Sequence, residues 1–528
     1  MQIDGLVLDA PSPPLGELLG AGLAADPDAV AAISATRSLS WRELEQESAR
    51  LAGGYRGLGL EPGDRLASLM PNRIDLLVHY LACFRAGLVA TPLNYRYTHR
   101  EIDHALTVSG ARALLAHVER AEDVAASELV GGLELGTIGY GAGELKAGAG
   151  AGEWGHEFEQ LLGAEALPAA VEVGPEDPAA IFFTSGSTGP AKGVTHTSES
   201  LRWMIASAAA AFGLEAEDAF LPGSSMSHIG SFLWALSALS VGGRVVVART
   251  TDAHEILPLL REQRPTVMAM IPAALSALIH DHELAPHDFD SLRICRAGAD
   301  KVSTELLHEF AAAAGFPIVE GYGMTEVGLA TLNPPSGVIK QGSIGTPIGG
   351  FSIAVRGEDG EPVGAEAVGR IWMRTRSRMV GYWEAPEATA EVVIDDWLDS
   401  GDLARADEDG YLWFFGRKKQ VIVHDGSNVS PLEVEEALVE HPAIALAGVV
   451  GVHDVVHGEN VRAYVTLEEG ADPPTRADLI AFARDRVGYK APEEIVFLDE
   501  MPLNPTGKID RVGLKRMAED HLHPHGVE

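Results

Sequence analysis

The chain has 528 residues, 46% of them hydrophobic, with 58 Gly, 30 Pro and two Cys, and its 76 Asp plus Glu against 40 Lys plus Arg leave a formal charge of −36. A chain this long exceeds what one hydrophobic core supports, so at least two domains are expected, and the composition excludes a disordered or fibrous protein. The charge repels nucleic acid and anionic membrane surfaces, two cysteines leave no disulfide framework or Cys-based zinc site, and no apolar run is long enough to span a bilayer.

The first residues, MQIDGLVLDAPSPP, lack the basic flank and apolar run of a signal peptide, so a cytoplasmic location is expected. From Asp64 the chain reads as strand (DRLASLM), turn (Pro71, Asn72), helix (IDLLVHYLACFRAG) and strand (LVATPL), a βαβ unit that implies a parallel sheet. The segments RALLAHV, AAIFFTS, RVVVAR, TVMAMIP and LRICRAG are short, apolar and separated by helical stretches, which predicts layered α/β structure. The Gly/Ala/Glu stretch from Gly131 to Gly152 reads as a surface excursion.

From Gly349 the texture changes to short strands with close Asp-Gly turns, a β-rich subdomain expected over about 349–418. Beyond it, PLEVEEALVEH, ALAGVVGV, VRAYVTLE, RADLIAFARDRV and EIVFLD alternate as helix, two strands, helix and strand. The expected fold class is therefore α/β: a large N-terminal domain, 1–418, of layered α/β subdomains plus the β-rich subdomain, then a small mobile α+β C-terminal domain, 419–528.

Four segments carry chemistry. TSGSTGPAKGV, Thr184 to Val194, follows an apolar strand and offers hydroxyls, backbone N–H groups and one ammonium to a polyphosphate. It is not the GxxxxGK[ST] loop, since Ala191 precedes Lys192 and Gly193 follows it, and a bare turn would need neither Lys192 nor four hydroxyls. GYGMTE, Gly321 to Glu326, places Tyr322 for a base, Thr325 for a phosphate oxygen and Glu326 for Mg²⁺, although an aromatic between glycines is also a common packed turn. DSGDLARADEDGYLWFFGRKKQVI puts Asp402 after a Ser-Gly turn, where a carboxylate can accept ribose hydroxyls, with Arg417 at the domain boundary. PLNPTGKIDR carries Lys508 near the chain end, and four of only nine lysines, Lys192, Lys418, Lys419 and Lys508, fall in these segments.

Together, in this order, the segments resemble the superfamily of adenylate-forming enzymes, which includes acyl-CoA synthetases, aryl-CoA ligases, peptide-synthetase adenylation domains and firefly luciferase. The resemblance runs from NYRYTHREI at Asn94 to Lys508 and is nearest to acyl-CoA synthetases. It implies ATP-dependent activation of a carboxylic acid to an acyl-adenylate, then transfer to coenzyme A, with ATP, Mg²⁺ and CoA as cofactors. By resemblance Thr184, Ser185, Gly186, Ser187, Thr188, Gly189 and Lys192 grip the β- and γ-phosphates, Tyr322 stacks on adenine, Thr325 contacts the α-phosphate and Glu326 ligates Mg²⁺. Gly298 and Ala299 join the nucleotide-binding set, Asp402 binds the ribose, and Arg417 reaches ribose or phosphates. Lys508 bridges the attacking carboxylate and the α-phosphate, and a hinge at Lys419 withdraws it while bringing Gly426 to a pantetheine tunnel.

The chain departs from the common pattern at Gln420, where an acidic residue is frequent, at His424 and Asp425, where SGGEN is common, and at Ser187. LPGSSMSHIGSFLWAL resembles the acid-pocket motif, with His228 beside the acyl carboxylate and thiol path, and Gly230, Gly323, Val327, Leu329 and Ala330 completing a small apolar wall. That wall suits a medium- or long-chain fatty acid and nearly as well a benzoate- or cinnamate-like aryl acid. A dicarboxylic acid is not expected, because the segment holds no Arg or Lys, Arg296 being the nearest cation. Phe232 and Trp234 can gate an acyl tunnel or form helix core, and core is the favoured reading.

Two further alternatives stand. Delivery to a carrier protein competes with CoA, although no carrier-like segment follows Lys508, and an inactive nucleotide-binding relative is weighed down by retention of Lys192, Glu326 and Lys508. The tail HLHPH reads as a frayed terminus. Expected partners are a small-molecule carboxylic acid, ATP and CoA, with no nucleic acid and no transmembrane segment, and a homodimer is left open.

Overall fold

The computed structural model describes residues 1–141, 154–184, 191–285, 287–298, 302–424, 427–454, 458–504 and 507–522. The chain divides into two compact units, one of Ile3–Ile353 with Met373–Leu398, the other of Met1–Gln2, Ala354–Trp372 and Asp399–Glu528. Of the stretch 349–418 expected as one β-rich subdomain, 354–372 and 399–418 thus belong with the smaller unit.

In the larger unit, an eight-stranded sheet is built around the predicted βαβ element: Arg65–Leu69 lies parallel to both Val89–Pro92 and Ala113–His117. The helix between the first two, Ile74–Ala86, is buried along its whole length and stops at Gly87, whose φ of 69° is the left-handed turn that a side chain disfavours. Strand β1 (Pro178–Thr184) continues the parallel set beside Val89–Pro92, and β2 (Lys192–Thr197) returns antiparallel against it.

A nine-stranded sheet of the same unit carries the other site segments. Helix α1 (Ile229–Ser240) packs on it with every residue from Ser231 to Ser240 buried. Phe232 lies at the junction of the two sheets' cores, with ring centroids 5.0 Å from Tyr80 and 5.0 Å from Phe182, both edge-on. It is core, as is Trp234 at 3% exposure, both as their place in the apolar helix predicts; the Trp234 ring stacks on Phe220 and lies 5.5 Å from the Arg296 guanidinium. Strand β3 (Ile294–Ala297) is parallel to β4 (Val319–Met324), which turns back antiparallel into β5 (Gly328–Leu332). The short strand β6 (Gly381–Tyr382) then joins the far edge of the eight-stranded sheet beside β2.

In the smaller unit, Asp402 to Ala406 of β7 (Trp397–Ala406) pair antiparallel with β8 (Leu412–Arg417). The helix, strand, strand, helix, strand order expected after Lys419 is found as Pro431–Val439, Ile444–Asp454, Gly458–Leu467, Arg476–Val487 and Glu494–Phe497. Its two long strands form an antiparallel pair, and Val434, Leu438, Leu479 and Ala483 of the helices join their apolar face in one core.

Candidate active site

Antiparallel pairing of β1 with β2 sets Thr184 opposite Lys192, so the two ends of the predicted phosphate loop are held side by side. Ser185, Gly186, Ser187, Thr188 and Gly189 lie outside the described residues. Lys192 is exposed, and its ammonium lies 4.7 Å from the centroid of the Tyr382 ring, a cation–π distance. Tyr382 gets there because β6 pairs with β2, Val194 opposite Tyr382. The Tyr382 hydroxyl in turn donates to Glu326 Oε1 at 2.9 Å. Burial, and then the Glu326 carboxylate, push that hydroxyl above its ordinary range, so it remains a donor.

Glu326 is buried at 6% exposure, and its backbone carbonyl accepts from the Met379 N–H at 2.7 Å. The neighbouring Thr325 carbonyl accepts from His196 Nε2 at 2.8 Å, which places the imidazole proton on that nitrogen. Burial pulls His196 down to about 4, so the ring is neutral and acts here as a fixed donor.

GYGMTE is not the loop after a strand that its composition suggests, since β4 runs on through Met324. The reason is the return strand. A Cβ at Gly321 would lie 2.6 Å from the Thr331 carbonyl oxygen and one at Gly323 only 2.2 Å from that of Gly328, so only glycine lets β5 approach this closely. The register slips between Tyr322 and Gly323, a bulge that re-aims the partly exposed Tyr322 ring.

On the acid side, His228 immediately precedes α1, and its Nε2 lies 3.4 Å from Asn94 Nδ2. A Cβ at Gly230 would meet Trp234 Nε1 at 3.6 Å and nothing nearer, so the position leaves room. Val327, Leu329 and Ala330 are buried, while Gly323 is exposed. Gly298 lies against the Arg296 guanidinium, which a Cβ there would approach to 2.4 Å, and Ala299 is outside the described residues.

In the smaller unit, Asp402 sits inside β7 rather than in a free turn, because Gly401, at φ 71°, kinks the strand without ending it. Asp402 is 4% exposed and pairs across the ladder with Arg417, whose Nε stands 3.3 Å from Oδ1. Lys419 lies in the 3₁₀ turn Lys418–Gln420 that follows, where Lys418 pairs with Glu358 at 2.7 Å. His424, one of the departures from the common pattern, donates from Nδ1 to the Glu459 carbonyl at 2.7 Å and places Nε2 3.2 Å from Glu493. Gly426 is outside the described residues. Lys508 is exposed on a small loop closed by Asn504, whose N–H donates to the Lys508 carbonyl at 2.7 Å and whose Oδ1 accepts from the Lys508 N–H at 3.1 Å.

Among the described residues no group of three or more His, Cys, Asp or Glu is gathered for a metal. A Mg²⁺ carried on nucleotide phosphates asks for only one or two protein carboxylates, which Glu326 fits.

The AMP-binding enzyme family matches residues 21–383, and the AMP-binding enzyme C-terminal domain matches 433–508. The chain belongs to the AMP-binding enzyme family. It is 34% identical over 497 residues to the feruloyl-CoA synthase of Amycolatopsis sp, covering 93% of this chain and 96% of that one. It is 32% identical over 501 residues to the fatty acid–[acyl-carrier-protein] ligase ScoC of Streptomyces coeruleorubidus, covering 93% of each. Among solved structures, ATP-bound MatB from Rhodopseudomonas palustris superposes with a TM-score of 0.87 at 26% identity, over 97% of this chain and 100% of that one.

This AMP-binding enzyme has the expected mixed α/β fold with a large N-terminal and a small C-terminal domain. It is an AMP-forming acid–thiol ligase that uses ATP, Mg²⁺ and CoA to activate a carboxylic acid. None of its described helices is long and apolar enough to cross a membrane.

Three neighbours of the site carry no signal in the sequence. Tyr382 belongs to the unremarkable run VGYWEA, and only the pairing of β6 with β2 brings it to Lys192 and Glu326. His196 lies in a strand of alternating Thr and His, with nothing local to show that its partner is 129 residues away. Asn94 opens the NYRYTHREI segment, which is recognisable by itself, but its contact with His228 spans 134 residues.

Proposed function

We propose that the enzyme converts a largely apolar carboxylic acid, fatty or aryl, to its CoA thioester through an acyl-adenylate. The observation that carries this is the grouping of Thr184, Lys192, Tyr382 and Glu326, which unites two separate sequence motifs at one place in the larger unit. In the first half-reaction a carboxylate oxygen bonds to the α-phosphorus of ATP, the bond to the β-phosphate oxygen breaks, and pyrophosphate leaves. Two anions meet there, so cations must neutralise charge as the in-line transition state forms. Bound Mg²⁺ supplies part of that neutralisation.

In this reading the loop from Thr184 to Lys192, with Ser185, Gly186, Ser187, Thr188 and Gly189, cradles the outer phosphates. Tyr322, Gly298 and Ala299 hold the base, Thr325 the α-phosphate, and Asp402 with Arg417 the ribose. The Asp402–Arg417 pair supports that role, since the guanidinium fixes a carboxylate whose lone pairs then accept two hydroxyls. Lys508 meets the carboxylate and the α-phosphate, from a C-terminal domain, 419–528, that turns about Lys419.

In the second half-reaction the thiol sulfur attacks the acyl carbon, AMP leaves and the thiol proton is released. His228, held by Asn94, orients the acyl carbonyl, and Gly426 borders the thiol path. The feruloyl-CoA synthase relative supports an aryl acid and CoA, the ScoC relative a fatty acid and a carrier protein. A cytoplasmic location suits these substrates.

The test is pyrophosphate release across a panel of carboxylic acids, with and without CoA. Acid-dependent release and thioester formation with free CoA are expected. Release without any thioester would refute CoA as the acceptor, and no release with any acid would refute the ligase reading.

A further inference from the structure

Three arginines are buried among the described residues: Arg85, Arg296 and Arg462. Arg85 pairs with Glu45 at 2.6 Å, and Arg462 pairs with Glu494 at 2.6 Å. Arg296 has no such partner among the described residues. Its Nη2 donates one long hydrogen bond, 3.3 Å, to the Gly321 carbonyl, its Nε is buried with no acceptor, and its guanidinium lies 5.5 Å from the centroid of the Trp234 ring. Desolvation with nothing to offset it pulls the group down to about 10, still charged at neutral pH.

A guanidinium at 8% exposure with an orphaned donor destabilises the fold unless something else meets it. Its surroundings show what that is. Trp234 lies one helical turn after Gly230, whose missing side chain leaves room beside the indole, and Gly321 lies two residues before Gly323 on β4. Arg296, in β3, thus stands beside residues that adjoin those proposed for the acid, and beside Gly298, proposed for the nucleotide, whose Cβ would come 2.4 Å from its guanidinium.

We propose that Arg296 is a specificity-determining residue that binds an oxygen acceptor on the far end of the acid, so that the preferred substrates carry a hydroxyl or second carboxylate there. The inference rests on the acid–CoA ligase reading. It reverses the expectation that a dicarboxylic acid is not a substrate, at the arginine which that expectation names as the nearest cation and sets aside. An unsubstituted alkyl or aryl tail leaves the guanidinium as poorly satisfied as in the free enzyme, whereas an oxygen acceptor completes its hydrogen bonding.

The experiment measures kcat/KM for pyrophosphate release by the full chain with ATP, Mg²⁺ and CoA on matched acids. One set is cinnamate, para-hydroxycinnamate and para-carboxycinnamate; the other is octanoate, omega-hydroxyoctanoate and octanedioate. The wild-type enzyme is expected to favour an oxygen-bearing member of a set by roughly 10²-fold or more, and the hydroxyl and carboxylate arms tell a neutral acceptor from an anionic one. Arg296→Met, which keeps the apolar stem, is expected to level that preference with KM for ATP unchanged. Its Tm is expected to hold or rise, since an unpaired buried charge is gone, whereas an arginine needed by the fold would lower it. Arg296→Lys, which keeps a charge, is expected to retain part of the preference and guards against a Met variant that does not fold.

A wild-type enzyme indifferent within both sets overturns the role of Arg296 while leaving the ligase reading intact. So does an Arg296→Met enzyme that keeps the preference, or one that changes only KM for ATP. No release with any acid overturns the ligase reading itself and this inference with it.

Discussion

The Tyr382 hydroxyl donates to Glu326 Oε1 at 2.9 Å across 56 residues of sequence, while the same ring lies 4.7 Å from the Lys192 ammonium. One aromatic side chain thus touches both Lys192 and Glu326, which the proposed scheme gives to phosphate and to Mg²⁺. A hydrogen bond to a charged acceptor contributes about 1.5–3 kcal/mol, and here it holds Glu326 Oε1. Tyr382→Phe keeps the ring under Lys192 and removes only that bond. The expected result is a Mg²⁺ requirement raised by roughly 10-fold, with Tm and KM for the acid nearly unchanged, read from pyrophosphate release over a Mg²⁺ titration. An unaltered Mg²⁺ dependence would show that the bond does not position Glu326.

Lys508 has a separable role in the proposed scheme, because only the first half-reaction brings two anions together. Lys508→Ala is expected to slow adenylate formation by roughly 10²–10³-fold, the usual effect of removing one preorganised donor from a developing charge. ATP binding, measured by calorimetry, should change far less, and CoA thioester formation from a supplied acyl-adenylate should persist. Adenylation at the wild-type rate would overturn the assignment.

How far these features are legible in the sequence follows from the range of the signal. Periodicity and turn residues act locally, so the βαβ unit at Asp64, the strands β1 and β3 and the C-terminal alternation can all be read from the residues alone. A candidate phosphate loop can be proposed from the residues too, since Lys192 stands out in a chain with nine lysines. The pairing of β6 with β2 is not, because a two-residue strand has no period of its own and its partner is chosen by tertiary packing. Arg296 is visible in the sequence but easily undervalued. An arginine closing an apolar strand normally brings a carboxylate with it, and only its surroundings show that none is there among the described residues.

Gly323 tests the glycine argument directly. Ala at this position would set a Cβ 2.2 Å from the Gly328 carbonyl oxygen, a backbone atom that cannot swing aside. The β4–β5 hairpin must then open, moving Tyr322 and Thr325 together. Gly323→Ala is expected to lower stability by about 1–3 kcal/mol, as overpacking does, and to raise KM for ATP more than KM for the acid. Chemical denaturation gives the first quantity and steady-state kinetics the second. Wild-type values for both would mean that the hairpin tolerates the methyl group.

The buried imidazole beside Thr325 predicts an acid sensitivity of definite sign. His196 titrates near 4 in the folded chain against an ordinary value of 6.5, because burial disfavours its charged form. Between those values the unfolded chain binds a proton that the native one does not, so stability is full above about pH 6.5 and falls as pH drops toward 4. His79, buried and drawn down to about 3, adds in the same direction. His196→Gln retains an N–H donor for the Thr325 carbonyl but cannot titrate. Urea midpoints from about pH 7 to about pH 4.5 should therefore fall less steeply in the variant than in the wild type. Parallel slopes would mean that His196 reaches water before the protein unfolds, and that the carbonyl beside Glu326 is not held by a neutral ring.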